Sequence, residues 1–312
     1  MSESTDNFVH IRQLLDVSVD ESAAVVEHHE HPDLQTGYHD LDVLFGGLRG
    51  GDLVVVGALP SVGKSSFALG IARNAAVNQR ANVGFYSLEM SSEQLAIRLL
   101  SAESGVDSNR LRLGQNTEME ERRIIAAAGR LSDANIWFDV SPVLTAAELR
   151  SKSRRLATEV KGLDLIVIDY LQLMSGEDSP RRENWEPEMS YLSRTLKNVA
   201  GELGVAIIAL TALAAVTANC YQRMPALSDL GDAGSIEADA DAILFLSREE
   251  LGITPERWLE QHPDEPETAY PKGVAKVNVA KHRTGPTGTV DLRFRERVAK
   301  FEDWVFTARV EA

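Results

Sequence analysis

The feature that most limits what this chain can become is the run Ala58-Leu59-Pro60-Ser61-Val62-Gly63-Lys64-Ser65. It follows four apolar β-formers, Leu53-Val54-Val55-Val56, and leads into a helical stretch from Ser65 to Ala76. A strand that passes through such a loop into a helix meets the local requirement for gripping polyphosphate. The loop N–H groups and the positive helix start converge on one spot. Pro60, Ser61, Val62, Gly63, Lys64, Ser65 and Ser66 are therefore the candidate nucleotide-binding residues. Lys64 is expected to reach the β and γ phosphates, and Ser65 to offer its hydroxyl to Mg²⁺. The strict pattern begins with glycine where Ala58 stands, with Gly57 just before it. Taken alone, a chance Gly-Lys-Ser turn after a strand remains open.

Two further segments bear on the same chemistry. Leu165-Ile166-Val167-Ile168 ends in Asp169, which puts a carboxylate at a strand's C-terminal end, where α/β sheets bind ligands. Asp169 is the expected holder of Mg²⁺, directly or through water. Phe85-Tyr86-Ser87-Leu88 runs into Glu89, and hydrolysis requires a carboxylate to orient the attacking water. Read alone, Asp169 is also a common strand ending and Glu89 a common capping or surface residue. Their combination with the Lys64 loop points to ATP and Mg²⁺ as cofactors.

Apolar runs at Val83–Tyr86, Ile136–Phe138, Leu165–Ile168, Val205–Leu210 and Ala242–Leu246 alternate with helical stretches. The helices are predicted at Ser65–Ala76, Ser92–Ser104, Ala146–Lys161 and Met189–Leu203. Near-continuous apolar strands between helices predict an α/β fold with a mostly parallel sheet flanked by helices. Val274–Val279, Thr289–Phe294 and Lys300–Phe306 predict antiparallel strands at the C-terminal edge, and residues 249–272 a surface loop with a short helix. The expected organisation is an extension over 1–31, one ATPase domain over 32–306 and a tail over 307–312.

Composition narrows the setting. A length of 312 residues suits one large α/β domain, and the single cysteine, Cys220, excludes an internal disulfide framework. His28, His29 and His31 read as solvated linker, because no Cys or Asp cluster completes a ligand set. The polar, acidic N-terminus and the short apolar runs predict a cytoplasmic chain with no membrane partner. A net charge of −15 disfavours a dedicated nucleic-acid binder, although a ring needs only a locally positive channel.

Further motifs carry a resemblance. They are Thr36-Gly37-Tyr38-His39-Asp40-Leu41-Asp42 with Phe45-Gly46-Gly47-Leu48, then Ser87-Leu88-Glu89-Met90-Ser91 and Asp169-Tyr170-Leu171-Gln172-Leu173-Met174. Ser228-Asp229-Leu230, Gly234 to Asp241 and Ala280 to Thr289 follow in order. Together with the Lys64 loop, these segments resemble the motor domain of DnaB-type replicative DNA helicases, from about Thr36 to Trp304. The resemblance implies a RecA-like P-loop ATPase that forms a homo-oligomer, usually a hexameric ring, with ATP held between neighbours around single-stranded DNA. It places on Lys281 and Arg283 the pair of cations that reach the neighbouring subunit's site. A cation at the γ-phosphate would stabilise transition-state charge. Glu89, Lys64, Lys281 and Arg283 are thus the catalytic candidates. For Lys281 to Gly288 the plain alternative is a β-turn with solvent-facing basic residues.

The sequence also departs from that family. The γ-phosphate-sensing glutamine is replaced by Ala212, which follows Thr211, and the basic channel loop retains only Arg223 between Leu213 and Met224. An arginine that contacts DNA phosphates is replaced by Gly231. Each lost phosphate contact removes a counterion-release contribution to DNA affinity. Arg181, Arg182, Arg194, Lys197 and Arg223 remain as DNA-binding candidates, with Trp185 and Tyr221 available to stack on bases. The family's collar domain is expected to be missing, with Val9–Leu15 serving as a linker helix that docks on a neighbour. The expected function is an ATP-hydrolysing DnaB-like helicase motor in DNA replication or a related DNA transaction. The alternative is an ATP-dependent assembly or switch protein of the same fold, without unwinding.

Overall fold

A computed structural model describes residues 33–174, 185–213 and 221–304. The 1–31 extension with Val9–Leu15 and its histidines, Arg181, Arg182, Cys220 and the 307–312 tail lie outside the described residues, as does the ring of Trp185.

Each apolar run becomes a strand. The parallel strands are β1 (Leu53–Ala58), β2 (Val83–Ser87), β3 (Ile136–Asp139), β4 (Leu165–Asp169), β5 (Ala206–Ala212) and β6 (Ala242–Ser247). Strands β7 (Val274–His282), β8 (Gly288–Arg295) and β9 (Lys300–Asp303) follow in antiparallel pairing. The order across the nine-stranded sheet is β3-β2-β4-β5-β1-β6-β7-β8-β9. Strands β1, β2 and β4 are buried at every position, as expected where both faces are covered. Strand β7 instead alternates half-buried and buried residues, the pattern of a strand with one wetter face. The expected class is therefore present. The edge strand β3 differs from the rest, since Trp137 and Phe138 are partly exposed.

The helices covering the sheet are α1 (His39–Phe45), α2 (Lys64–Arg73), α3 (Ser92–Ser104), α4 (Ser108–Leu113) and α5 (Glu118–Ser132). They continue with α6 (Ala146–Glu159), α7 (Trp185–Leu203), α8 (Ser235–Asp239) and α9 (Pro255–Gln261). Helices α3, α5 and α6 start with reciprocal capping boxes, Ser91 with Gln94, Thr117 with Glu120 and Thr145 with Glu148. Each box satisfies backbone donors that have no partner inside the helix. Among the described residues no helix is long and apolar enough to cross a membrane.

Because β1, β2, β4, β5 and β6 run in parallel, their C-terminal ends share one rim of the sheet. Register makes this concrete: Ser87 lies opposite Asp169, Gly57 opposite Thr211, and Ala58 opposite Ala212. The Lys64 loop, Glu89 and Asp169 sit where these strands end.

Candidate functional site

The loop after β1 is held in a shape few residues tolerate. Gly63 has φ 111°, and a Cβ there would lie 3.1 Å from the Phe301 ring. Both facts require glycine at the turn into α2. Ser61 also adopts a left-handed φ of 63°. The buried side chain of Val62 anchors the loop, and the Tyr221 hydroxyl donates to the Pro60 carbonyl at 3.1 Å. The loop therefore opens its backbone toward the rim with Lys64 and Ser65 as the first residues of α2.

Lys64 turns back over this loop, its Nζ 3.3 Å from the Ala58 carbonyl. Burial lowers its pKa, and the carboxylates of Asp169 and Glu89 oppose that shift.

Asp169 is 1% exposed, and neither carboxylate oxygen has a hydrogen-bond partner. Burial pushes its pKa up and Glu89 adds to the rise, while Ser65, Lys64 and Arg98 oppose it. The Ser65 hydroxyl is near enough to act electrostatically without reaching full hydrogen-bond geometry. A buried, unpartnered carboxylate is costly unless something binds it. Among the described residues no three His, Cys, Asp or Glu side chains gather into an all-protein metal cage. One carboxylate and one hydroxyl beside a phosphate loop do fit Mg²⁺, which keeps waters and takes its other oxygens from phosphates.

Glu89 is exposed at the mouth of the same cleft. The turn carrying it is tied to the end of β4, since the Leu88 N–H donates to the Asp169 carbonyl at 2.8 Å. The Ser87 hydroxyl closes the turn by donating to the Met90 carbonyl at 3.0 Å. The open cleft, about 790 Å³, is lined by Pro60, Ser61, Gly63, Lys64, Ser65, Ser66, Glu89 and Asp169, which the sequence marks. Arg98, Arg112, Arg248 and Phe294 line it too, from segments with no local signature. Arg248 is 4% exposed, pairs with Glu250 at 2.6 Å and lies 4.2 Å over the Phe294 ring.

A model of the DnaB-like helicase C-terminal domain matches residues 33–303. The chain belongs to that family. It is 40% identical over 268 residues to the replicative DNA helicase DnaB of Geobacillus stearothermophilus, covering 86% of this chain and 56% of that protein. It is 38% identical over 307 residues to the DnaB of Leifsonia xyli, covering 97% of this chain and 63% of that one. This DnaB-like chain thus spans little more than half the length of the curated relatives it matches. Among solved structures, an ATPase domain superposes with a TM-score of 0.83 at 28% identity, covering 96% of this chain and all of the other. A DnaB-like replicative helicase, solved in a study of its interactions with primase, superposes with a TM-score of 0.79 at 28% identity. That match covers 97% of this chain and 69% of the other.

The remaining candidates of the DnaB-like domain lie elsewhere. Lys281 lies near the end of β7 and Arg283 just past it, opposite the start of β6 and so at the other end of that strand from the rim of the Lys64 loop. Lys281 donates to the Glu237 and Ala240 carbonyls, the latter at 2.8 Å. Arg283 donates to the Ala238 carbonyl at 2.7 Å and to Asp241 at 3.1 Å. Burial and the nearby Arg283 lower the Lys281 pKa, against the pull of Glu237, Asp241 and Asp239.

The DNA candidates are scattered. Lys197 donates to the Gly51 carbonyl at 2.8 Å and to Asp241 at 2.6 Å, so it braces the N-terminal end of the sheet. The charge of Lys197, a DNA-binding candidate from the sequence, is thus engaged by Asp241. Arg223 holds Asp229 through two bonds of 2.5 and 2.6 Å. Arg194 is exposed on α7. At Ala212 an amide does arrive, but from another part of the chain. Gln172 donates to the Thr211 hydroxyl at 2.7 Å and the Ala212 carbonyl at 2.9 Å.

Proposed function

We propose that this chain is the ATP-hydrolysing motor of a DnaB-like helicase, working in the cytoplasm in DNA replication or a related DNA transaction. The observation that carries the reading is the buried Asp169 carboxylate with both oxygens unpartnered, beside a half-buried Lys64 whose Nζ donates to the Ala58 carbonyl in the field of Asp169 and Glu89. Such a pair is matched when the triphosphate of an ATP·Mg²⁺ complex lies between its members. Ser65 and Asp169 hold the magnesium, which when bound neutralises phosphate charge as the terminal bond breaks. Lys64 draws the β and γ oxygens, and the loop from Pro60 to Ser66 wraps them with backbone N–H groups. Glu89 orients the attacking water at the open side of the cleft.

Lys281 and Arg283 are too far around the fold to serve their own chain's nucleotide. They act on the triphosphate of a neighbouring copy in a homo-oligomeric, hexameric ring. Single-stranded DNA is held by Arg181, Arg182, Arg194 and Arg223, a reduced set that fits the loss of positive charge at Gly231 and along the loop before Arg223.

The test is ATP turnover with and without single-stranded DNA, alongside a native-mass measurement. Turnover that requires magnesium, vanishes in Lys64→Ala and rises with DNA is the expected result. Basal turnover indifferent to DNA would turn the reading to an assembly or switch protein. Absence of magnesium-dependent nucleotide binding would sink it.

A further inference from the structure

Asp241 joins two parts of the molecule that belong to different catalytic sites. Its Oδ2 accepts from the Leu53 N–H at 2.8 Å and from Lys197 Nζ at 2.6 Å. Its Oδ1 accepts from Arg283 Nη1 at 3.1 Å. Backbone bonds repeat the connection: the Asp241 N–H donates to the Leu53 carbonyl at 2.9 Å, and the Arg283 N–H donates to the Asp241 carbonyl at 2.8 Å. Leu53 begins β1, the strand that carries the Lys64 loop.

The donors left over matter. A guanidinium has five N–H groups, and Arg283 uses one on Asp241 and one on Ala238, so three remain for an anion. The Lys281 ammonium has three, with Glu237 and Ala240 taking two. Both cations are aimed by acceptors on one side and keep free donors on the other. Without such a brace, a long surface side chain spreads over many rotamers and loses the near-attack geometry on which rate depends.

We propose that Asp241 is a positioning residue: it presets Arg283, and with it Lys281, for the neighbouring copy's triphosphate, and links their placement to the strand bearing its own chain's phosphate loop. The inference rests on the reading that these cations act in trans. Asp241 touches no nucleotide and acts only through Arg283 and β1.

The test is turnover by mixed rings of full-length chains. Asp241→Asn alone should lose ATP turnover by about 10-fold or more, the scale expected of a mispositioned group. Its affinity for a fluorescent ADP analogue and its native mass should match the wild type. Mixing it with Lys64→Ala, itself inactive, should restore turnover, because each Asp241→Asn copy keeps an intact loop and receives Arg283 from a neighbour with intact Asp241. Arg283→Ala mixed with Lys64→Ala is the reference and should recover to the same level. Wild-type turnover by Asp241→Asn overturns the proposal. So does a failure of its mixture while the Arg283→Ala mixture recovers, which leaves the trans reading standing. If the Arg283→Ala mixture also fails, the trans reading falls and takes the inference with it. Should Asp241→Asn not fold, Asp241→Glu enters the same mixtures; it keeps a charge on Lys197 while shifting the Arg283 contact, and the same pattern is expected.

Discussion

The two ends of the central strands treat charge in opposite ways. At the C-terminal rim, Asp169 is buried without a partner and Lys64 reaches only a backbone carbonyl. At the opposite rim, Asp241 collects Leu53, Lys197 and Arg283, and Lys281 is seated on two carbonyls. Both rims carry charged side chains, yet only the C-terminal rim holds a buried carboxylate with neither oxygen partnered; at the other the carboxylate is satisfied and the spare donors sit on its cations. A fold closes its polar groups where they serve stability and leaves them open where a ligand will complete them.

The sharpest way to break this contrast is to neutralise each carboxylate in turn. Asp169→Asn should reduce ATP turnover by at least about 10²-fold, since the metal anchor is lost. The same change should leave the melting temperature of the nucleotide-free protein unchanged or higher. The sign follows from the raised Asp169 pKa: the ionised form is disfavoured in the folded state at neutral pH, so removing its charge relieves a penalty. A marked drop in melting temperature would show that Asp169 is structural after all. Asp241→Ala should behave in the opposite sense. It leaves the Leu53 N–H without its acceptor and the Lys197 ammonium with the Gly51 carbonyl alone, at a cost of about 2 kcal/mol in urea unfolding. A cost near zero would erase the distinction between the rims.

A third change examines the proposed DNA-binding set. Gly231 has φ 54° and ψ −126°, a region that side chains with a Cβ rarely enter. Gly231→Arg puts back the positive charge seen in the family but should cost about 1 kcal/mol or more of stability through backbone strain. Its DNA affinity should rise little, because the backbone bearing the arginine is not set to present it. A rise of tenfold or more, read by fluorescence anisotropy at fixed salt, would show that charge alone limits DNA binding.

What the sequence disclosed follows the same division. The phosphate loop was legible because its parts are contiguous and its geometry demands particular residues, Gly63 above all. Strands β1 and β4 were legible because full burial leaves nearly unbroken apolar runs. The brace at the other rim was not. Lys197, Asp241 and Arg283 meet from three elements, and a lysine on an amphipathic helix looks the same whether it faces solvent or an aspartate. Arg248 and Phe294 escaped for the same reason, since a cleft wall built from distant segments has no spacing to read. Helices α4 and α5 were not assigned because their apolar stripe is weak; Ala127 is the only buried residue on α5. In the region read as a surface loop, Trp258 is 6% exposed and stacks on His262 with centroids 4.3 Å apart, so that loop carries a small anchor of its own.

The smallest effect concerns Arg223, the one basic residue left in the channel loop that the structure describes. Its pair with Asp229 holds the carboxyl below the usual carboxylate range, helped by the Ala226 N–H. A depressed carboxylate pKa adds stability that is complete above the unfolded value and is lost as pH falls through the folded value. The pair is partly exposed, so the contribution is a few tenths of a kcal/mol. Arg223→Ala should therefore lower the melting temperature slightly at pH 7, and the difference should shrink as pH falls through the folded-state value of Asp229. If DNA competes for Arg223, adding single-stranded DNA should shrink that difference at pH 7. An unchanged difference would assign Arg223 to the fold, beside Lys197, and remove it from the channel.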